Sequence, residues 1–206
     1  MQSFKKYNLY FLILVYLSGS IGFVLNPEFF QPFTPFTLLL TSIVFLLHQY
    51  EVKSFILAYL AVAILGFSAE VIGVQTGLVF GAYHYGAALG AKLLEVPLII
   101  SLNWALVITA SISIATYFLK QRWSVVLSGA LLATVFDVLL EQIAPRLDFW
   151  VFDAGMPTLH NYLGWFAIAG FSGFLFYPIL RNGAAKPAII ILFLQLIFFI
   201  SIILFI

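Results

Sequence analysis

Asp137 and Glu141 stand four residues apart inside an apolar run, Phe136-Asp137-Val138-Leu139-Leu140-Glu141. On a helix that spacing puts both carboxylates on one face, about 6 Å apart along the axis. Glu70 ends a second apolar stretch, Gly66-Phe67-Ser68-Ala69-Glu70. A charge at mid-bilayer costs ~2.5–3.5 kcal/mol on insertion scales, so acids in such runs usually face a bundle interior and act there. Two nearby carboxylates rarely both stay ionised in a dry site; one keeps its proton and becomes an acid usable near neutral pH. Glu70, Asp137 and Glu141 are therefore the candidate catalytic residues. A blander reading lets Glu141 snorkel to the surface, Asp137 bond a neighbouring helix and Glu70 mark the membrane boundary.

Two further segments carry unusual residues. In Gly73–Gly90, glycines recur near Tyr83-His84-Tyr85. Non-helical backbone at membrane depth survives only where protein or a cavity shields it. One reading of 73–95 is thus a re-entrant or interfacial element lining a cavity; the other is a tightly packed small-xxx-small helix with interfacial tyrosines. Asp148-Phe149-Trp150-Val151-Phe152 and Asn161-Tyr162-Leu163-Gly164-Trp165 then place rings beside the acids, with Asn103-Trp104 a deeper pair. Desolvated ring faces stabilise a cation by ~2 kcal/mol or more. An interfacial aromatic belt has the same composition.

Several chemistries are disfavoured. The chain has no cysteine, which excludes disulfides, iron–sulfur clusters and thiolate zinc sites. His48, His84 and His160 are isolated, so a histidine-rich di-iron centre is absent and no metal is expected. The last apolar run has no lysine for a retinal Schiff base beyond Lys186 at its edge, and Asp137-x-x-x-Glu141 alone is a weak match to a diphosphate–magnesium site. A net charge of +1 without a basic stripe gives no case for nucleic acid.

The elements that must position these residues are membrane helices. Of 206 residues 64% are hydrophobic and 8% charged, against roughly 25% charged in a soluble domain, so most of the surface must meet a lipid bilayer. Apolar stretches long enough for a bilayer core fall near 8–25, 35–48, 54–72, 96–118, 124–143, 161–180 and 187–206. The expectation is an all-α, polytopic bundle of about seven transmembrane helices in one domain, 1–206, in the plasma membrane. The apolar character runs past Ser18-Gly19-Ser20 to Leu25, which favours an uncleaved first helix over a signal peptide. With the N-terminus cytoplasmic, one side receives Lys5, Lys6, Lys53, Lys120, Arg122, Arg181 and Lys186, the other only Lys92 and Arg146. The inner connections are then short, while the outer ones, 26–34, 73–95 and 144–160, hold the unusual residues, so the site is expected at the outer face.

Taken in order, Glu70-x-x-Gly73, Phe80-Gly81-x-Tyr83-x-Tyr85, Val96-Pro97 to Trp104, Asp137-x-x-x-Glu141, Phe149-Trp150 and Gly155-x-Pro157-x-x-x-Asn161-Tyr162-x-Gly164-Trp165 resemble the CruF-type carotenoid hydratases. That family includes γ-carotene 1′,2′-hydratase and bisanhydrobacterioruberin hydratase. The resemblance covers Glu70 to Trp165. It implies cofactor-free addition of water to the terminal C1=C2 double bond of an acyclic carotenoid end, as in γ-carotene or lycopene. Other carotenoid-pathway enzymes are the implied protein partners. Asp137 or Glu141 would protonate C2, and Glu70 would be its partner or the base that orients water. Tyr83, Tyr85, Trp150 and Trp165, with Trp104 deeper, would shape the pocket around a tertiary cation, and Asn161 would position water. Gln142 stands where the family pattern has proline, which comes only at Pro145, so the fifth helix is expected to run a turn longer. Two other functions suit the same residues: a carotenoid or isoprenoid cyclase, which makes the cation but excludes water, and a small proton-coupled transporter. Transporters usually show internal repeats and broken midplane helices; here no repeat is evident, and the polar residues crowd one side rather than spanning the path.

Overall fold

The computed structural model describes residues 2–49 and 52–206; residues 1, 50 and 51 lie outside the described residues. The helices are α1 (Gln2–Leu25), the short α2 (Pro27–Phe30), α3 (Thr34–Leu47), α4 (Val52–Thr76), α5 (Leu98–Phe118), α6 (Arg122–Leu140), α7 (Leu159–Leu180) and α8 (Ala185–Phe205). Among the described residues seven helical stretches are long and apolar enough to cross a membrane, one of them Pro27–Leu47, where α2 leads into α3. This is the expected all-α bundle of a multi-pass membrane protein.

α5 is the axis of the bundle. It packs against α3, α4, α6, α7 and α8, and every side chain from Trp104 to Ile112 is fully buried. A helix apolar on all sides belongs in such a place, because no face of it needs water. The outer helices instead turn leucine, isoleucine and phenylalanine outward, among them Leu14, Ile64, Leu131, Leu163 and Phe193, each more than half exposed. In water those positions would be a liability; in lipid they are the solvent-facing surface. At the end opposite the carboxylates, Gln49 closes the bundle: its Oε1 accepts the Ala184 backbone N–H at 2.9 Å and its Nε2 donates to the Phe45 carbonyl at 2.9 Å.

The stretch 73–95 is not a small-residue helix. α4 carries on to Thr76, and Gly77, at φ +68°, takes the left-handed conformation that ends it. Beyond it the chain is extended. Strand β1 (Tyr83–Tyr85) pairs antiparallel with β4 (Trp150–Phe152), with Tyr83 opposite Phe152 and Tyr85 opposite Trp150. β2 (Lys92–Leu93) and β3 (Val96–Pro97) form a small hairpin, joined by Leu94 and Glu95, both at positive φ, as a two-residue turn of the twist-matching kind requires. The connections 77–97 and 141–158 therefore meet as a lid across one end of the bundle. The extra turn expected after the fifth span is also irregular: the α-helix stops at Leu140, residues 141–144 make one loose turn, and a 3-10 turn follows over Pro145–Leu147. Asp148, at φ +51°, then reverses the chain so that Phe149 can bond back to Ala144 and β4 can reach β1.

Candidate active site

The alternation of a strand builds the lid's inner face. Tyr83, Tyr85, Trp150 and Phe152 are buried on one side of the β1–β4 ladder, while His84 and Val151 point outward. His84 is exposed and meets Asp153 Oδ1 at 3.3 Å, an ordinary surface pair. Lys92 Nζ donates to the Tyr85 carbonyl at 2.7 Å and Asp148 Oδ2 accepts the Ala87 N–H at 2.7 Å, which fixes the ladder to the neighbouring loops.

Beneath the lid Glu70 is 5% exposed and accepts hydrogen bonds from three side chains. Tyr83 and Tyr85 both donate to its Oε2, the second at 2.7 Å, and Trp104 Nε1 donates to Oε1 at 2.7 Å. Three donors suit a carboxylate acting as acceptor. The two phenols are pushed above their ordinary range, first by burial and then by the Glu70 charge, so they stay protonated as donors. Trp104 is held in turn. Its ring stacks on Trp165 at 3.7 Å and 13° between planes. Gly66, one helical turn before Glu70, lets α5 come close: a Cβ there would lie 2.5 Å from Trp104 Cβ.

Asp137 and Glu141 do share a face, as their spacing predicts, and Asn161 on the first turn of α7 joins them. Its Nδ2 donates to Asp137 Oδ2 at 2.9 Å and to Glu141 Oε1 at 3.2 Å. Trp150 Nε1 completes Glu141 by donating to Oε2 at 2.9 Å. Asp137 is wholly buried, and its Oδ1 has no hydrogen-bond partner among the described residues. Glu141 is the first residue past its span, and its acidity is weakened above all by burial, against the opposing hydrogen bond from Trp150.

A chamber of about 310 Å³ separates the two acid sites. Glu70 and Glu141 both line it, as do Tyr83, Tyr85, Trp104 and Trp150, whereas Asp137 sits behind Glu141 and does not. Asn161 and Trp165 also line it, so every sequence-predicted site residue except Asp137 reaches this space. Asn161's role shifts, however: both hydrogens of its amide N point to carboxylates, so it clamps the pair rather than offering that group to water. A second, larger cavity of about 660 Å³ adjoins the chamber, walled largely by apolar residues of α1, α3 and α8. Ile100, Asn103 and Trp150 line both spaces. Ile100 and the cavity beyond it were not legible as site features, because one isoleucine among many carries no signal. Asn103 carried one, as a lone amide inside an apolar span. Among the described residues no group of three or more His, Cys, Asp or Glu is arranged to hold a metal ion.

The family model for carotenoid biosynthesis protein matches residues 33–206. The chain belongs to this family. The match runs from the start of α3 to the end of α8 and so contains both acid sites, the lid and the neck between the cavities. It extends beyond the Glu70–Trp165 resemblance on both sides and leaves out only α1 and α2. No curated protein and no solved structure matches the chain. Membership gives the chain a role in carotenoid metabolism.

Proposed function

We propose that the protein is a carotenoid 1,2-hydratase, multi-pass in the plasma membrane with its N-terminus cytoplasmic. The observation that carries this reading is the pair of differently built acid sites, Glu70 and Glu141, on one small aromatic chamber. Hydration needs an acid to deliver a proton and a base to take one. Glu141 faces the chamber from a pair that Asn161 clamps together, and such a pair holds one proton between its members. It protonates C2 of the terminal double bond. The tertiary cation at C1 is held among the ring faces of the chamber. Water then bonds to C1 and passes a proton to Glu70, whose carboxylate still has room for a fourth hydrogen bond. The rest of the polyene lies in the larger cavity, which its apolar walls suit, and no cofactor is needed for these steps.

The test is expression in bacterial cells that accumulate γ-carotene or lycopene, with chromatography and mass spectrometry of the extracted pigments. A more polar pigment heavier by one water is the expected result. Unchanged pigments, with the protein present in the membrane, would overturn the reading for those substrates. A pigment of altered retention and unchanged mass would replace it with a cyclase.

A further inference from the structure

In the chamber most polar groups are already committed. Tyr83, Tyr85 and Trp104 donate to Glu70, Trp150 donates to Glu141, and the Asn161 NH₂ bridges Asp137 and Glu141. Asn103 is different. It is 6% exposed, in the first turns of the central helix α5, and its amide makes no hydrogen bond to any described residue. Its neighbours at the neck are Ile100 and Trp150, with which it lines both the chamber and the larger cavity. The amide borders cavity space rather than being sealed in, and a free one at the junction of a polar and an apolar space points to an occupant there. The residue after it, Trp104, bonds Glu70, so Asn103 lies about 100° around the same helix from a group already on the base.

We propose that Asn103 holds the attacking water at this neck and thereby decides whether the cation is captured or loses a proton. This rests on the hydratase reading. An amide both accepts and donates, so it can take one water hydrogen on Oδ1 and still leave the oxygen lone pair free for C1. The step balances: Glu141 gives a proton to C2, the water oxygen bonds to C1, and the proton it releases goes to Glu70. One water is consumed, and return of the proton from Glu70 to Glu141 resets the site. If water is not held, the same cation returns a proton from C2 or from a methyl group next to C1. The products are then the starting alkene or a double-bond isomer of unchanged mass.

The experiment compares wild type, Asn103→Leu and Asn103→Ser, each purified in lipid nanodiscs, turning over lycopene or γ-carotene in D₂O. Mass spectrometry reads hydrated product, same-mass isomer and deuterium in recovered substrate. Wild type gives mostly hydrated product. Asn103→Leu lowers the ratio of hydrated product to deuterated substrate plus isomer by about tenfold or more, while deuterium uptake persists, as expected when one hydrogen bond at the water is lost. Asn103→Ser, with a smaller hydroxyl group, falls between the two and keeps the inference open to test if the leucine variant does not fold. The inference is overturned if the variants hydrate with the wild-type ratio, or if hydration and deuterium uptake vanish together in a folded variant. Wild type that neither hydrates nor exchanges overturns the hydratase reading itself, and this inference with it.

Discussion

Replacing Tyr85 by Phe removes one hydroxyl and almost no volume, which isolates a single hydrogen bond to Glu70. That bond is 2.7 Å long, ends on a buried carboxylate and is one of three that the acid accepts. Hydrogen bonds to charged groups contribute ~1.5–3 kcal/mol, and losing one in a buried site also leaves its acceptor short of a donor. If that bond holds the Glu70 carboxylate where it balances the cation formed in the rate-limiting step, its loss is worth roughly 10- to 150-fold in turnover at about 1.36 kcal/mol per tenfold. If Glu70 only supports the fold, the same deficit lowers thermal stability and leaves turnover of the folded fraction unchanged. The assay is therefore double: hydrated pigment formed in nanodiscs, and unfolding followed by tryptophan fluorescence. A cycle with Glu70→Gln separates the pair from its surroundings, with an expected interaction of about 1 kcal/mol or more. His84→Ala is the control, because that side chain leaves the same strand on the exposed side and its pair with Asp153 is worth only ~0–1 kcal/mol. A Tyr85→Phe variant with wild-type turnover and stability would refute the reasoning, as would a cost equally large in the Glu70→Gln background.

Glu141→Gln keeps the shape of the chamber wall but has no proton to give, and hydration should fall by about 10²- to 10⁴-fold, the usual worth of a general acid. Asp137→Asn, behind it, should alter the pH profile more than it lowers the maximal rate; the reverse order of effects, read from initial rates across pH, would move the donor to Asp137. Because burial weakens the acidity of Glu141, with Glu70's charge acting the same way, the activity profile should be a bell: low where Glu70 takes a proton and is lost as the base, and falling on the alkaline side as pH rises through the raised value of Glu141. Glu70→Gln should shift that fall to lower pH, visible in a rate–pH curve. The linkage has the same sign: a carboxyl raised from its ordinary 4.5 adds stability below that value and loses it as pH climbs through the raised one, so melting temperature should drop over this window. Gly66→Ala should destabilise by about 1–3 kcal/mol through overpacking against Trp104, and should also disturb Glu70 through the displaced indole, detectable as a lower melting temperature with reduced turnover.

The bundle was largely legible because lipid imposes a blunt pattern: runs near 20 residues, lysine and arginine segregated between connections, carboxylates near the ends of two runs. The i,i+4 pair followed from helical geometry alone, and Asp137 and Glu141 do share a face. The lid did not follow. Tyr83-His84-Tyr85 and Trp150-Val151-Phe152 are each three residues long, too short for an alternation to stand out, and their pairing spans 69 positions from Tyr83 to Phe152. The glycines near them fitted a close-packed helix equally well until Gly77 at positive φ ended α4. Asn161 stands out in the sequence as a polar residue near rings, suited to positioning water, but its clamp on two acids depends on how α7 docks on α6, which no local pattern encodes. The same holds for Glu70, where donors from β1 and from α5 converge.

The two acid sites differ in a way that suits opposite proton roles. Glu70 is surrounded by donors from Tyr83, Tyr85 and Trp104, which hold both oxygens of its carboxyl group in place on the chamber wall, where a proton can be received. Glu141 shares the donors of Asn161 with a sealed neighbour whose second oxygen is unpartnered, and one proton on that pair relieves the repulsion between the two carboxylates. Neither arrangement requires a cation nearby, and the described lining of the chamber has none. The charge that develops on a protonated alkene would then be balanced by Glu70 across the chamber and by ring faces between, which makes the timing of water access at the neck the step that separates hydration from cyclisation.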